Sequence, residues 1–313
     1  MRAATIQDGK LAIVEHPDPT PGYGQLLVRV RAAGLNGADL HQLRGGYPAP
    51  PGSPQDIPGL ELAGEVAAIG PGVLGHQPGD RVMALVGGGA QAELALVHER
   101  LVSPVPETVA WPAAGGFPEV FTTAHDALFS QCGLRAGERV LVHGAAGGVG
   151  TAAVQLAANA GALVTATVRN PEHHQAVAGL GAERVVPPEE VGGTGPFDVI
   201  LELVGAPNFP ANFDVLGQGG RISIIGTGAG GRIDLDLRQL MARRAKLFGS
   251  TLRSRSLEEK AIAARRIEAH VLPALAAGRI RVPVAATYPL DQVEEAYERF
   301  RAGGKLGKIV LEV

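Results

Sequence analysis

A glycine-rich segment in the middle of the chain has the spacing of a phosphate-binding turn. Residues 139–142 form an apolar, strand-like run, and residues 151–160 form an alanine-rich, helix-like run. Between them lies an A-x-G-x-x-G motif made by Ala145, Gly147 and Gly150. A helix N-terminus favours an anion through its free amides and its dipole, and small residues let the backbone approach it. The motif therefore predicts binding of a dinucleotide pyrophosphate; an ordinary strand-to-helix turn is the alternative interpretation.

The next apolar run indicates which dinucleotide. Ala162–Val168 reads as a second buried strand and is followed by Arg169 and Asn170. A site that prefers NAD usually has an acidic residue about 20 residues after the glycines, where it binds the ribose 2′-hydroxyl. A guanidinium pairs instead with a 2′-phosphate. The sequence therefore predicts NADPH, with a solvated loop charge as the alternative interpretation of Arg169.

Length, charge and cysteine content narrow the class of protein. The chain has 313 residues, of which 45% are hydrophobic and 19% charged, with a net charge of −3. This length exceeds one typical core, so we expect two domains. The balanced charge, without an extended basic patch, argues against nucleic acid or a membrane as partner. The single cysteine, Cys132, excludes an internal disulfide and fits a reducing cytoplasm. We expect a cytoplasmic protein, since no signal peptide or membrane span is evident.

The first part of the chain has an all-β pattern. Strand-like runs at 26–30, 64–69 and 81–85 are separated by turns rich in Gly and Pro. Five prolines in Arg44–Pro58 exclude regular structure there. A loop of this length inside a compact domain usually serves a function.

Beyond residue 113, predicted strands alternate with predicted helices. This alternation is typical of a parallel sheet with helices on both faces, so we expect an α/β fold with a doubly wound sheet. We expect the C-terminal tail to return to the first domain. The predicted elements are a helix over 124–131, strands over 184–186, 199–204, 221–225 and 247–250, a helix over 257–277, a strand over 285–289, a helix over 292–302 and a strand over 308–313.

Several segments spread along the chain carry a family resemblance. They are Ala32–Leu40, Ile57–Val66, Gly70–Val73, Gly79–Val82, His143–Gly150 and Gly307–Leu311. On these segments the chain resembles the medium-chain dehydrogenase/reductase superfamily, and specifically its zinc-independent quinone oxidoreductases. Met83–Leu85, Gly87–Gln91 and Ser250–Arg255 are similar to the branch of tumour-suppressor-inducible quinone oxidoreductases. The resemblance implies a GroES-like catalytic domain over 1–117, completed by 283–313, and a Rossmann NADPH-binding domain over 118–282.

The resemblance also bears on metal binding. Zinc-dependent alcohol dehydrogenases of this superfamily carry Cys where Asn36 stands and His where Leu60 stands, whereas Glu61 is retained. Asn is a poor zinc ligand and Leu is none, and a catalytic zinc site needs about three protein ligands. We therefore expect no metal.

Two side chains are implied in catalysis. By resemblance, Asn36 and Tyr47 lie beside the nicotinamide and contact the substrate, where the Tyr47 hydroxyl binds a carbonyl oxygen or relays a proton. The alternatives are a packed loop aromatic for Tyr47 and a turn-capping side chain for Asn36. Closer relatives carry a Ser implicated in activity where this chain has Gly147.

The cofactor contacts implied by the resemblance lie at the domain junction, at the glycine turn, at the ends of successive strands and near the C-terminus. Ligands of open α/β sheets bind in the crevice at such strand ends. Each glycine is equally explained as a turn residue. The implied residues are Thr123, Ala145, Ala146, Gly147, Gly148, Val149, Gly150, Thr167, Arg169, Asn170, Gly205, Gly226, Thr227, Gly228, Thr251, Leu252 and Lys305.

These expectations together predict an enzyme. The expected reaction is zinc-independent hydride transfer from NADPH to a quinone or another electron-poor carbonyl acceptor, with the protein orienting the reactants and excluding water. The alternatives are NADPH-dependent reduction of an activated C=C bond in an enal or enone, and a non-catalytic NADPH-binding protein. The family commonly forms homodimers through sheet edges, so the resemblance implies a homodimer joined near 221–225 and 247–250.

Overall fold

The computed structural model describes all residues from 1 to 313. The chain divides into two compact units: Met1–Thr122 with Leu252–Val313, and Thr123–Thr251. This division assigns residues 252–282 to the first unit, whereas the sequence analysis assigns them to the second domain. The reason is that the helix over Leu257–His270 packs against the strand Val102–Pro104 of the first unit.

The secondary structure consists of fifteen strands and ten α-helices, with short 3-10 and π segments between them. The strands are β1 (Arg2–Gln7), β2 (Lys10–Glu15), β3 (Gln25–Gly34), β4 (Glu61–Ile69), β5 (Arg81–Leu85), β6 (Leu94–His98), β7 (Val102–Pro104), β8 (Arg139–Val142), β9 (Leu163–Thr167), β10 (Arg184–Val186), β11 (Phe197–Glu202), β12 (Leu216–Ile224), β13 (Lys246–Gly249), β14 (Val284–Pro289) and β15 (Lys308–Glu312). The α-helices are α1 (Gly37–Leu43), α2 (Trp111–Gly115), α3 (Pro118–His125), α4 (Gly148–Asn159), α5 (His174–Ala178), α6 (Phe209–Val215), α7 (Leu237–Arg243), α8 (Leu257–His270), α9 (Leu272–Ala276) and α10 (Val293–Ala302). None of these helices is both long enough and apolar enough to cross a bilayer.

The first unit is built on a seven-stranded sheet. Its strand order is β14-β15-β3-β4-β5-β7, with β6 also paired to β3, and β1 and β2 form a separate hairpin. Leu26, Val28 and Val30 alternate along β3 and are buried, as expected for one face of a strand. Strand β15 is antiparallel to β3, so the C-terminal segment is part of this sheet.

The second unit is a six-stranded, all-parallel sheet in the order β10-β9-β8-β11-β12-β13. Numbered within the unit, this is the order 3-2-1-4-5-6 of a dinucleotide-binding sheet. Its central strands contain the continuous apolar runs Val140–Val142 and Val199–Leu201, as parallel strands covered on both faces require. The predicted α/β fold with a doubly wound Rossmann sheet and a second, β-rich domain is confirmed.

Two predicted helices differ from those in the structure. The helix expected over 124–131 begins at Pro118 as α3 and continues as a π-helix over Asp126–Gln131. The helix expected over 257–277 is interrupted at Val271, so α8 and α9 are separate. The cause is Pro273, which has no amide hydrogen and whose ring clashes with the carbonyl four residues earlier.

Gly150 marks the closest approach of α4 to the turn that precedes it. A Cβ at Gly150 would lie 2.6 Å from the Cα of Ala145, and backbone atoms cannot move aside as a side chain can. Gly147 is different: it is the N-cap of α4 with φ −74°, and its Cβ would lie 3.3 Å from the carbonyl oxygen of Gly144.

We therefore expect Gly150→Ala to lower the free energy of unfolding by about 1–3 kcal/mol through overpacking. The matched control, Gly147→Ser, should stay within about 1 kcal/mol of the wild type, because Ser is a favoured N-cap residue. Urea unfolding followed by circular dichroism measures both. Equal stability of the Gly150→Ala variant and the wild type would contradict the close approach.

Candidate active site and cofactor site

The glycine turn between β8 and α4 leaves several amide groups unpaired. The first α-helical hydrogen bond runs from the Thr151 amide to the Gly147 carbonyl, at 2.8 Å. The amides of Gly148, Val149 and Gly150 precede it and have no carbonyl within the helix to bind. With no Cβ at the half-buried Gly147, the backbone is open to a close ligand. This geometry fits a pyrophosphate group.

Thr167 holds this turn in place from the end of β9. Its carbonyl accepts from the Ala145 amide at 3.1 Å, and its hydroxyl accepts from the Gly144 amide at 3.3 Å. The same hydroxyl lies 3.1 Å from Nδ1 of the buried His143, whose pKa is lowered by burial. Because Thr167 is only 1% exposed, it positions the turn from within the core.

Arg169 and Asn170, which follow Val168 beyond the end of β9, have different surroundings. Arg169 is exposed, and its guanidinium makes no hydrogen bond or ion pair within the chain. The Asn170 side chain instead accepts from the Glu172 amide at 3.1 Å and so begins a 3-10 helix. Arg169 is therefore the cation that is free to bind a phosphate at this end of β9.

A carboxylate that the sequence analysis did not single out organises the next strand end. Glu202 is fully buried at the end of β11 and accepts from the Val204 amide at 2.7 Å and from the Gly205 amide at 2.8 Å. Gly205 has φ +121°, a conformation that L side chains rarely adopt. The Gly226 amide donates to the Glu202 carbonyl at 3.1 Å. The signal that could have identified it is an acidic residue directly after the apolar run Val199–Leu201.

The remaining predicted cofactor residues have varied surroundings. Lys305 is the most constrained: its ammonium donates to the Gly307 carbonyl at 2.6 Å and lies 4.7 Å from the centre of the Phe300 ring. Burial, with the nearby charges of Lys308 and Arg299, lowers the pKa of Lys305 to about 7. Buried positions are Thr123, Ala145 and Leu252, half-buried ones are Ala146, Gly147, Gly148, Val149 and Gly226, and exposed ones are Thr227, Gly228 and Thr251.

In the first unit, Arg253 fixes the proline-rich loop that carries Tyr47. The guanidinium is buried and donates to the Tyr47 carbonyl at 2.7 Å, the Gly87 carbonyl at 2.8 Å and Oε1 of Gln42 at 2.5 Å. It also lies 4.9 Å from the centre of the Tyr47 ring, within cation–π range. Three segments that are distant in sequence therefore meet at one side chain.

Tyr47 itself is half-buried, and its hydroxyl makes no hydrogen bond within the chain. Burial raises the pKa of this hydroxyl, the Glu119 carboxylate raises it further, and the Arg253 guanidinium opposes both. The phenol therefore stays protonated at neutral pH. A fixed, protonated and unpaired hydroxyl is suited to donate a hydrogen bond to a ligand oxygen.

Asn36 belongs to a buried polar cluster with Glu61 and Lys308. The Lys308 ammonium donates to Oε1 of Glu61 at 2.6 Å, to Oδ1 of Asn36 at 2.7 Å and to the Leu35 carbonyl at 2.6 Å. The Asn36 amide nitrogen donates to Oε1 of Glu61 at 2.9 Å and to the Gly34 carbonyl at 3.3 Å. Both ends of the Asn36 amide are thus bound within the chain.

Asp39 extends this cluster. One carboxylate oxygen, Oδ2, accepts from the backbone amide of Asn36 at 2.8 Å, while the other, Oδ1, is buried without a partner. Burial raises the pKa of Asp39 to about 6, although the hydrogen bond from the Asn36 backbone amide and the charge of Lys308 both lower it. Asp39 therefore enters its charged form near neutral pH.

The cluster does not fit a catalytic zinc ion. Asn36 and Leu60 offer no strong ligand, and the carboxylate of Glu61 is already bound to an ammonium. No group of three or more His, Cys, Asp and Glu side chains elsewhere in the 313 residues is arranged to hold a metal. Sequence reasoning noted positions 36, 60 and 61 but missed Lys308 and Arg253, whose partners lie far away along the chain.

Known proteins match the whole chain. The family described as Alcohol dehydrogenase GroES-like domain matches residues 22–107, and the family described as Zinc-binding dehydrogenase matches residues 148–268. A quinone oxidoreductase of Rattus norvegicus is 32% identical, over 94% of this chain and 90% of its own length. An acryloyl-coenzyme A reductase of Metallosphaera sedula is 31% identical, over 99% of each chain.

Solved structures agree with the sequence comparisons. A mycobacterial protein in complex with NADPH superposes with a TM-score of 0.89 at 28% identity, over all of both chains. The matches span both units, and the glycine turn fits a pyrophosphate. The chain therefore belongs to the medium-chain dehydrogenase/reductase superfamily, and it is an oxidoreductase that binds a nicotinamide cofactor.

Proposed function

We propose that this protein is a zinc-independent, NADPH-dependent quinone oxidoreductase. The observation that carries the proposal is the unpaired, protonated Tyr47 hydroxyl on a loop fixed by the buried Arg253 guanidinium. This hydroxyl supplies a donor for a carbonyl oxygen without a metal ion. The similarity to a rat quinone oxidoreductase supports the same acceptor class.

Two observations support NADPH as the cofactor. The exposed Arg169 guanidinium has no partner within the chain and stands where a ribose 2′-phosphate is expected. A structural relative was solved with NADPH. The pyrophosphate would bind to the amides of Gly148, Val149 and Gly150. When bound, NADPH supplies a hydride.

The protein's own contribution is orientation and charge stabilisation. Quinone reduction by a hydride adds two electrons and one proton to the acceptor, and solvent supplies the second proton. Tyr47 donates a hydrogen bond to the acceptor oxygen on which negative charge develops, and its raised pKa keeps the hydroxyl protonated during the reaction. Asn36 lies in the same unit, where its amide is held by Lys308 and Glu61.

The test is oxidation of NADPH, followed by nicotinamide absorbance, with and without phenanthrenequinone. Parallel reactions contain NADH in place of NADPH, and an enal in place of the quinone. We expect quinone-dependent oxidation that favours NADPH. Measurable NADPH binding without oxidation by either acceptor would contradict an enzymatic function.

The role of Arg169 can be tested by reversing its charge. Arg169→Glu should weaken NADPH binding by about 10-fold or more, because repulsion replaces a charge-assisted pair, and should change NADH binding little. Fluorescence titration measures both dissociation constants. Arg184→Glu, at an exposed arginine of the same unit, is the matched control. Equal losses for NADPH and NADH would remove Arg169 from the 2′-phosphate site.

The role of Tyr47 can be tested by removing one oxygen atom. Tyr47→Phe keeps the ring over Arg253 and deletes the hydroxyl, so kcat with the quinone should fall by about 10-fold to 100-fold. The dissociation constant of NADPH should not change. Tyr23→Phe, at an exposed tyrosine, is the control. An unchanged kcat in the Tyr47 variant would exclude the hydroxyl from the reaction.

A second candidate function is reduction of an activated C=C bond. The acryloyl-coenzyme A reductase that covers 99% of this chain favours it. The same hydroxyl would then stabilise the enolate oxygen formed after hydride addition to the β-carbon. Activity with the enal and none with the quinone would replace the first proposal by this one.

We also propose a homodimer formed along the edge of the Rossmann sheet. Strand β13 is the edge strand, and the neighbouring helix α7 exposes Leu237 by 63% and Met241 by 74%. Pairing of two β13 strands would satisfy the free edge and cover these side chains. Light scattering after size-exclusion chromatography should give twice the mass of one chain, whereas the mass of a single chain would contradict the proposal.

A further inference from the structure

The Lys308 ammonium is buried, and each of its N–H groups has a hydrogen-bond acceptor. The residue is 2% exposed, and three acceptors surround its nitrogen: Oε1 of Glu61, Oδ1 of Asn36 and the Leu35 carbonyl. An ammonium has three N–H donors, so each one has a partner. Burial of a charge is costly unless it is paired and hydrogen-bonded, and both conditions are met here.

Two carboxyl groups, those of Glu61 and Asp39, interact with the Lys308 ammonium. Glu61 is fully buried, and its second oxygen, Oε2, accepts from the Glu119 amide at 2.8 Å. The buried Asp39 carboxyl interacts electrostatically with Lys308, Glu61 and Arg253. Without the ammonium, the two carboxyl groups would give this region a net negative charge.

This region is continuous with the Tyr47 loop. Arg253, which contacts Tyr47, interacts electrostatically with Asp39, and Asp39 interacts in turn with Lys308. Glu119 interacts with both Glu61 and Tyr47. Its backbone amide donates to Oε2 of Glu61, and its carboxylate raises the pKa of the Tyr47 hydroxyl. Lys308 is therefore linked to the Tyr47 loop through Asp39 and Arg253.

The same positions hold the catalytic metal in the zinc-dependent members that the sequence resembles. Here Asn36 and Leu60 stand in place of two ligands, and the retained Glu61 binds an ammonium at 2.6 Å.

We propose that Lys308 is an electrostatic positioning residue of the acceptor site, whose ammonium neutralises Glu61 so that negative charge can develop on the acceptor oxygen. The inference rests on the proposed function in one respect, namely that the acceptor lies at Tyr47. Lys308 acts through Glu61, Asn36 and the local charge, without touching the reacting atoms.

Two single variants break the same ion pair but leave opposite charges. Lys308→Met leaves a buried carboxylate, and Glu61→Gln leaves a buried ammonium, so a purely structural role predicts similar damage from both. We expect Lys308→Met to lower kcat with phenanthrenequinone by about 10-fold to 100-fold, and Glu61→Gln to lower it by less than about threefold. Equal losses in kcat would overturn the proposal. Lys10→Met, at an exposed lysine of the same unit, is the control.

A binding measurement makes the test independent of turnover. The probe is dichlorophenolate, an anion that resembles a reduced quinone, titrated into the protein saturated with NADP⁺. Lys308→Met should weaken phenolate binding by about 10-fold, whereas Glu61→Gln should leave it unchanged or tighter. If the wild type binds the phenolate and the two variants differ as expected, but the wild type reduces no quinone, the proposed function fails and the role of Lys308 stands. Absence of phenolate binding to the wild type overturns the role of Lys308.

The double variant covers the case in which a single variant does not fold. Lys308→Met with Glu61→Gln removes both charges, and replacement of a whole buried ion pair is tolerated better than loss of one partner. Thermal unfolding and NADP⁺ binding verify that it folds. We expect it to bind the phenolate within about threefold of the wild type, because the Glu61 charge that the ammonium neutralises is removed together with the ammonium. Binding about 10-fold weaker than that of the wild type would overturn the proposal.

Discussion

The first unit depends on one buried ion pair, between Lys308 and Glu61. These residues begin β15 and β4, two of the antiparallel partners of β3, so both lie beside the end of β3. The carboxylate lies over Gly34, where a Cβ would come 2.9 Å from Cδ of Glu61. The C-terminal strand, the start of α1 and the centre of the sheet therefore meet at this ion pair and Asn36, and loss of either charge would leave the other buried and unpaired.

The second unit depends on a steric constraint instead. Close contact between α4 and the turn after β8 requires a residue without Cβ at Gly150, and Thr167 holds the turn through two backbone amides. Glu202 does the same for the turn after β11. In each case a polar side chain at the end of a buried strand binds the backbone of the turn that follows, at the edge where open α/β sheets bind their ligands.

Local sequence patterns predicted the strands and turns whose bounds are set by neighbouring residues in the sequence. Strands β5 and β10 have the predicted bounds, because turn residues flank both apolar runs. The glycine motif and the Rossmann sheet were also recognisable. The break at Val271 was missed although Pro273 indicated it, since the apolar helical pattern continues on both sides.

The candidate site was harder to predict, because its key contacts join residues distant in sequence. Lys308 binds Asn36 across 272 positions, and Arg253 binds the Tyr47 carbonyl across 206. Neither partner can be found from periodicity or spacing, and a lysine at the start of a strand is usually exposed. Only the pairing of β15 with β3 brings Lys308 to Asn36.

The Tyr47 loop has no regular secondary structure, yet Tyr47 is held in place by specific contacts. Prolines limit the conformations of the 44–58 segment but provide no amides for a hydrogen-bond ladder. Arg253 replaces that ladder, because one planar guanidinium binds the Tyr47 carbonyl, Gly87 and Gln42 together and packs on the tyrosine ring. A lysine would offer a point charge without the planar fork, so the loop depends on arginine specifically.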